Sequence, residues 1–556
     1  MQVRSGAAGT NTGRWWEGGC IYQPYIRSWQ DTDGDGYGDL GGIVRRLDHL
    51  AWLGVDALWL TPTMPSPDQD WGYDVTDYYG VHPDLGTADD LRLVVSEAEQ
   101  RGIRVLLDLV PNHTSDAHPW FVEARSGRGS ERRDWYVWAD PAPDGGPPNN
   151  WVDITGAPAW TLDEGSGQYY LHNFLPAQPD LNWWNGDVRR EFERILRFWF
   201  DQGVAGMRID VAHGLFHDRR LRDNPPAPDG PETRYGQARV YNLNRPEVHD
   251  VYRSWRRLAS EYDPARLLLG ETWVLDPERL ARFYGEDDEL QLCFNFMLLF
   301  SEFTAAAMSG VVARSMAALP GGACPAWVGS NHDVSRMATR WGGGDSRRTR
   351  LALAVLCTLP GTVTLYAGDE LGLTDVYVPP AEQRDPITWR APDGRFNRDR
   401  CRTPLPWDEG PNSGFCPEGV EPWLPIGDRS GTSVAAQLAD PGSTLWLTRN
   451  LLELRRASVT AGAYQQLPSG ADQWVYRSGG LVVAANFSDL AAEVQLPGGS
   501  ARLSSLSGRS THDEGSPDGA APTVLGPWEA VAVQVSRRPG APASGTPRPA
   551  ARQDRI

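Results

Sequence analysis

Four acids stand at the ends of short apolar runs: Asp108, Asp210, Glu271 and Asp333, with His113 and His332 close by in sequence. A carboxylate nucleophile and a carboxylic acid about 5 Å apart across an anomeric carbon carry out retaining glycoside hydrolysis through a covalent ester. For that chemistry Arg208, two residues before Asp210, would keep the nucleophile ionised. Desolvation and nearby negative charge would keep the proton on Glu271. Arg208 and Asp210 also alternate on one side of an otherwise apolar strand. Burying such a pair costs several kcal/mol unless each charge satisfies the other. Any single acid could instead cap a helix or pair with an arginine; four at successive strand ends suggest one pocket.

The elements that must position these groups alternate between strand and helix through the first two thirds of the chain. Strands are expected near 21–25, 57–60, 103–109, 204–209, 267–271, 293–296, 327–329 and 362–366, enough to close a barrel with its chemistry at the carboxyl ends. Helices are expected over 40–53, 87–99 and 444–456. A further helix carries Val188, Phe192, Ile195, Leu196, Trp199 and Phe200 as one apolar stripe, with Asp187 as its cap and Gly203 as its stop. The fold class is therefore α/β, a (β/α)8 TIM barrel. Residues 1–113 and 175–458 form the barrel, and the irregular 114–174 is a small domain inserted after strand 3. Short alternating runs over 459–536 read as an antiparallel β-sandwich. The Pro/Ala/Arg-rich residues 537–556 read as a disordered tail.

Composition narrows the function classes. The 556 residues carry a formal net charge of −19, which disfavours nucleic acid and anionic membrane surfaces as partners. All 53 basic side chains are arginine, so Schiff-base and P-loop chemistry, which need an ammonium group, are excluded. The six cysteines show no C-x-x-C spacing and read as reduced thiols. With no signal-peptide core at the N-terminus and no run of membrane-spanning length, a cytoplasmic location is expected. The 24 tryptophans beside many carboxylates suit a sugar cleft, where flat rings cover a pyranose and acids accept its hydroxyls.

D-L-V-P-N-H at 108–113, G-M-R-I-D-V-A-H at 206–213, G-E-T-W at 270–273 and S-N-H-D at 330–333 resemble, in order, the four signature regions of the α-amylase glycoside hydrolase family. G-V-D-A-L-W-L-T-P at 54–62 and G-T-V-T-L-Y-A-G-D-E-L-G at 361–372 support the likeness, which spans roughly residues 15–460. It implies Asp210 as nucleophile, Glu271 as general acid/base, and Asp333 as a third carboxylate holding sugar hydroxyls. His113 and His332 would bond the same sugar, and Arg208 would orient Asp210. Q-P-D-L-N-W at 178–183 and D-W-G-Y-D at 70–74 are similar to the oligo-1,6-glucosidase and α-glucosidase branch. There Asp70 and Tyr73 fit a terminal sugar, while Phe174, Arg398 and Arg402 close its non-reducing end. The implied function is a retaining exo-acting α-glucosidase on short α-glucosidic saccharides, with no organic cofactor. A glucosyltransferase or isomerase such as trehalose synthase or isomaltulose synthase would use the same intermediate. An inactive binding homologue would lack the acids that are present here. Val211, after the nucleophile, resembles the α-1,6-preferring members, although Ala212-His213 departs from the common pattern.

The run Asp31-Thr32-Asp33-Gly34-Asp35-Gly36-Tyr37-Gly38-Asp39 places side-chain oxygens at alternate positions around glycine turns, a pattern that can wrap a hard cation. Gly42 stands where an EF-hand would need glutamate. The loop resembles the single Ca²⁺ loop of the oligo-1,6-glucosidase branch, which implies Asp31, Asp33, Asp35 and Asp39 as side-chain ligands and Tyr37 as a carbonyl ligand. Such a Ca²⁺ ion would be structural. The alternative is an Asp/Gly turn held by Asx hydrogen bonds.

Overall fold

The computed structural model describes residues 14–535 except 231, 391–396, 428–429, 460–462, 500 and 512–519, so the expected tail 537–556 lies outside the described residues. Eight parallel strands close a barrel: β1 (Cys20–Gln23), β2 (Ala57–Leu60), β3 (Arg104–Leu109), β4 (Gly206–Ile209), β5 (Leu267–Gly270), β6 (Leu292–Asn295), β7 (Ala326–Val328) and β8 (Thr362–Tyr366). Each is followed by a helix: α1 (Leu40–Leu53), α2 (Ala88–Gln100), α3 (Gly186–Asp201), α4 (Val248–Ala259), α5 (Pro277–Ala281), α6 (Ala305–Ala318), α7 (Ser346–Thr358) and α8 (Thr444–Ser458).

The pleat sorts the side chains. Leu107, Leu109, Met207 and Ile209 point outward into the core shared with the helices. Ile21, Trp59, Leu106, Leu269, Phe294 and Val328 point inward and fill the barrel. Above that apolar plug, toward the carboxyl ends, the inward positions become charged. Asp108 of β3 lies in register with Arg208 of β4, and Arg208 with Leu269 of β5. Gly206 is required at the other end of β4, because a Cβ there would meet the Leu267 carbonyl oxygen at 2.4 Å.

Helix α3 buries the expected stripe from Val188 to Phe200. Its cap differs from the expectation: Asn185, not Asp187, accepts the amide of the first turn, and Asp187 lies inside that turn. One turn holds both polar residues, so sequence alone does not decide between them. Gly203, at φ 89°, turns the chain into β4.

Between β3 and α3 lies a three-stranded antiparallel sheet of Trp138–Ala139, Gln168–Leu171 and Trp160–Asp163 over its own apolar cluster. It is stitched to the long β4–α4 connection by Asn150, whose side chain exchanges two hydrogen bonds with the backbone of Asn224 at 2.8 and 2.9 Å. After α8, a six-stranded antiparallel sheet packs against a two-stranded one (Ala492–Pro497 with Ala520–Leu525), sharing Val475, Val482, Val494, Leu496 and Leu525. The six cysteines are all buried free thiols.

Candidate active site

Arg208 is the hub of the charged layer. Its Nη1 donates to Asp108 at 2.8 Å and to Asp210 at 2.6 Å, and its Nη2 lies 3.0 Å from Glu271 Oε2. The guanidinium rests on the Trp59 ring at 4.7 Å, and the Trp59 indole donates to Asp108 at 3.0 Å. Trp59 itself is fully buried, so the charged layer rests on the apolar plug of the barrel. Glu271 Oε2 also accepts the Val211 amide at 2.9 Å, which leaves Oε1 as the oxygen able to carry a proton. Asp210 and Glu271 share the Arg208 guanidinium from strand ends 61 residues apart in sequence but adjacent in the barrel. Two acids held to one guanidinium suit a retaining acid pair.

A second cluster faces the first. Asp333 Oδ1 accepts Arg398 at 3.2 Å and Arg402 at 2.9 Å, while Oδ2 stands 3.3 Å from His332 Nε2. Arg398 reaches Asp70 at 2.6 Å, so Asp70, Asp333, Arg398 and Arg402 form one connected group. Tyr73 ties the two clusters together, its hydroxyl donating to Asp108 at 3.0 Å and meeting His332 Nε2 at 2.7 Å. The Tyr73 and His332 rings lie parallel, and Gln23 meets the other His332 nitrogen at 2.7 Å. His113 is fixed by Asn112, the Tyr73 carbonyl and Gln178, and Phe174 packs on its ring at 5.0 Å. Every residue expected at the pocket is therefore joined to it through bonds or ring contacts.

Burial and neighbouring charge act on these carboxyls in opposite directions. One guanidinium cannot neutralise three buried carboxylates, and Arg208 is divided among Asp108, Asp210 and Glu271. Burial therefore pushes Asp210 well above the usual carboxylate range; Arg208 opposes this, and the charges of Glu271 and Asp108 add to it. Burial likewise lifts Asp108 to about 6. Arg208 is thus the counterion that opposes this rise, and it is divided among three acids. Asp333 behaves oppositely. Burial would raise it, but the positive charges facing it hold it far below the usual range. Although His332 is counted among those charges, burial drives that imidazole well below its ordinary value. The lowering therefore rests on Arg398 and Arg402.

Residues that the sequence did not single out complete the site. Gln178 donates to Asp70 at 3.2 Å; it stands in the Q-P-D-L-N-W run, whose likeness was the signal available. Trp59 stands in an apolar strand, where its polar N–H gives no pattern. Asp385, fully buried, takes the Arg398 fork through both oxygens, at 3.0 and 2.7 Å. It comes from the long connection between β8 and α8, just ahead of the short helix Pro386–Arg390, where no periodicity marks it.

The Asp/Gly loop is only partly arranged as expected. Carboxylate oxygens of Asp31, Asp33 and Asp39 lie within 4.8 Å of one another, a spacing that suits a hard cation's oxygen shell. Asp35 is not part of that group; its carboxylate accepts the Tyr37 amide at 2.8 Å. Asp31 accepts the amides of Gly34 and Gly36, and Asp39 that of Thr32, so Asx bonds also hold the loop. The three-acid group fits a cation; a four-carboxylate shell does not follow from this arrangement.

The chain matches the family model of the α-amylase catalytic domain over residues 23–462. A probable alpha-glucosidase of Rhizobium meliloti is 41% identical over 516 residues, covering 87% of this chain and 91% of that protein. An oligo-1,6-glucosidase of Heyndrickxia coagulans is 36% identical over 534 residues, covering 87% and 94%. The crystal structure of an alpha-glucosyl transfer enzyme, XgtA, is similar with a TM-score of 0.87 at 36% identity, covering 94% of this chain and 99% of that one. Trehalulose synthase MutB from Pseudomonas mesoacidophila has a TM-score of 0.84 at 29% identity, with coverage of 94% and 99%.

Proposed function

This chain belongs to the α-amylase family of glycoside hydrolases, and we propose that it is a retaining, exo-acting α-glucosidase acting on short α-glucosides. The observation that carries the reading is the Arg208 fork, which holds Asp210 and Glu271 side by side at 2.6 and 3.0 Å. In the first step Asp210 attacks the anomeric carbon of a terminal glucose while Glu271 passes its proton to the departing oxygen. The bond to that oxygen breaks as the β-glucosyl ester on Asp210 forms. Glu271, now ionised, removes a proton from water, which cleaves the ester and returns glucose with its original configuration. Glu271 carries the proton as attack begins, and the two donors on its Oε2 direct that proton to Oε1.

Asp333 holds two hydroxyls of the glucose, with His332 and His113 bonding the same ring and Tyr73 stacking on it. The Asp70–Arg398 pair, at 2.6 Å, closes the far end with Phe174 and Arg402, so only a terminal sugar enters. Asp31, Asp33 and Asp39 would hold a structural Ca²⁺. There it would neutralise converging carboxylates and stiffen the turn before α1. Six unpaired buried thiols favour a reducing, cytoplasmic setting.

A second reading, glucosyl transfer to a sugar acceptor, is favoured by the likeness to the alpha-glucosyl transfer enzyme. The linkage lean, resting on Val211, is toward α-1,6 with α-1,4 also accepted. A panel of maltose, isomaltose, sucrose, trehalose and kojibiose tests these together, run beside Asp210→Asn. Glucose as the product, with isomaltose turned over faster than maltose, supports the main reading. New oligosaccharides or trehalose would instead favour transfer, and a strong maltose preference would end the α-1,6 lean. Near-full activity in Asp210→Asn would remove the mechanism.

A further inference from the structure

We propose that Asp385 is a positioning residue of the glucose pocket: it holds the Arg398 fork so that one oxygen of Asp333 stays available to the sugar. The inference rests on the glucosidase reading above. Arg398 is in reach of three carboxylates and binds them unequally. Its Nε and Nη2 pair with the two oxygens of Asp385 at 3.0 and 2.7 Å, Nη2 also meets Asp70 at 2.6 Å, and Nη1 reaches Asp333 at only 3.2 Å. The two-pronged pair with Asp385 is the geometry that fixes a guanidinium plane.

Asp385 is itself rigidly set. It is fully buried, accepts the Arg398 amide at 2.8 Å and the Ile387 amide at 3.2 Å, and donates its own amide to Asp399 at 3.1 Å. Although burial works against it, Arg398 holds the Asp385 carboxyl below the usual range, so the anchor is an anion.

The consequence lies at Asp333. Both guanidinium groups bind its Oδ1, whereas among the described residues Oδ2 has only His332 nearby, at 3.3 Å. Oδ2 is therefore the oxygen left to accept the two sugar hydroxyls. Remove the anion at Asp385, and Arg398 has only Asp70 and Asp333 to satisfy it. A two-pronged bond to Asp333 then becomes its best geometry, and it takes Oδ2 away from the sugar. Asp385 contacts no substrate in this scheme; it acts through Arg398.

The test is sugar binding in the Asp210→Asn background, titrating glucose and maltose by calorimetry into parent, Asp385→Asn, Arg398→Gln and the double variant. Binding to the parent reports on the glucosidase reading, and the ratios among variants report on Asp385, so the two fail separately. The expected result is at least a tenfold weaker affinity in Asp385→Asn, and a double variant no weaker than Arg398→Gln alone. Affinity within twofold of the parent, or losses that multiply in the double variant, would overturn the proposal. Asp385→Glu, which keeps the anion but displaces it, supplies the same readout if the asparagine variant does not fold. A smaller loss that likewise vanishes beside Arg398→Gln is expected, and a loss that persists there counts against the role.

Discussion

The amide of Val211 donates to Glu271 Oε2 at 2.9 Å, and it can do so because Val211 adopts φ 44°, a left-handed backbone on a β-branched residue. Such a conformation costs roughly 1–3 kcal/mol and persists only where its surroundings enforce it. Here the Ala212 amide bonds the Glu271 carbonyl at 2.9 Å, and the Gly214 amide bonds the Val211 carbonyl at 2.8 Å. The residue after the proposed nucleophile is thereby locked to the proposed acid, and the strain is spent at the reacting pair.

Glu271→Ala should separate the two halves of the reaction. Glucosides with poor leaving groups need its proton, so maltose turnover should fall by on the order of 10³-fold. A dinitrophenyl glucoside leaves without protonation, so it should still load Asp210 and accumulate the ester. Azide, needing no general base, should then release α-glucosyl azide. A β-glucosyl azide, or equal losses on both substrates, would show that residue 271 is not the acid/base.

Tyr73 separates ring from hydroxyl. Its hydroxyl joins Asp108 to His332, while its ring is the expected sugar platform. Tyr73→Phe keeps the ring and loses the hydrogen bonds to Asp108 and His332; at about 1 kcal/mol net each, kcat/KM should fall by on the order of 30-fold. Tyr73→Ala should cost at least a further tenfold, chiefly in KM. Equal kinetics for the two variants would deny the ring any role.

Much of this was legible from residue types. Arg208 and Asp210 alternate in an apolar strand, which makes sense only if the inner face is charged, and the barrel puts both there. The sharing of Arg208 was not legible. One basic neighbour in sequence says nothing of Asp108, which arrives from β3 in register and takes a share of the same guanidinium. Asp385 was invisible because it works from an irregular segment, where only the folded Arg398 reveals it. In the Asp/Gly loop, alternate spacing marks four acids equally. Only the turn geometry separates Asp35, bonded to the Tyr37 amide, from the three that converge.

Stability should decline on the alkaline side. Glu370 is fully buried, bonded to the Tyr22 hydroxyl at 2.9 Å and the Gly368 amide at 2.9 Å, and burial lifts it from 4.5 to about 7. Asp74 and Asp180 are lifted to about 7 in the same way. A group raised on folding holds its proton more tightly in the native state. Its stabilisation is complete below about 4.5 and disappears as pH climbs through 7. Urea midpoints should therefore fall between pH 5 and pH 8. Glu370→Gln, which cannot ionise, should match the wild type at pH 5 and exceed it at pH 8 by on the order of 2 kcal/mol. A variant that loses stability equally at both values would mean that folding does not raise the Glu370 carboxyl.

Calcium should stabilise the fold without entering the reaction. The carboxylates of Asp31, Asp33 and Asp39 converge at the turn before α1, whose first amides Asp39 caps at 2.6 Å. An ion bound there favours only the folded chain, by RT ln(1 + [Ca²⁺]/Kd), or about 2.7 kcal/mol at a hundredfold excess over Kd. Millimolar Ca²⁺ should raise the Tm by a few degrees, and a chelator should reverse the gain. Mg²⁺ should do less, since it demands a tighter octahedron than a loop with three carboxylates presents. Asp33 is the exposed member of the three, so Asp33→Ala should remove the Ca²⁺ response at little cost to the ion-free protein. If Asp33→Ala keeps the full response, the ion sits elsewhere; if the wild type shows none, the Asx bonds alone hold the turn.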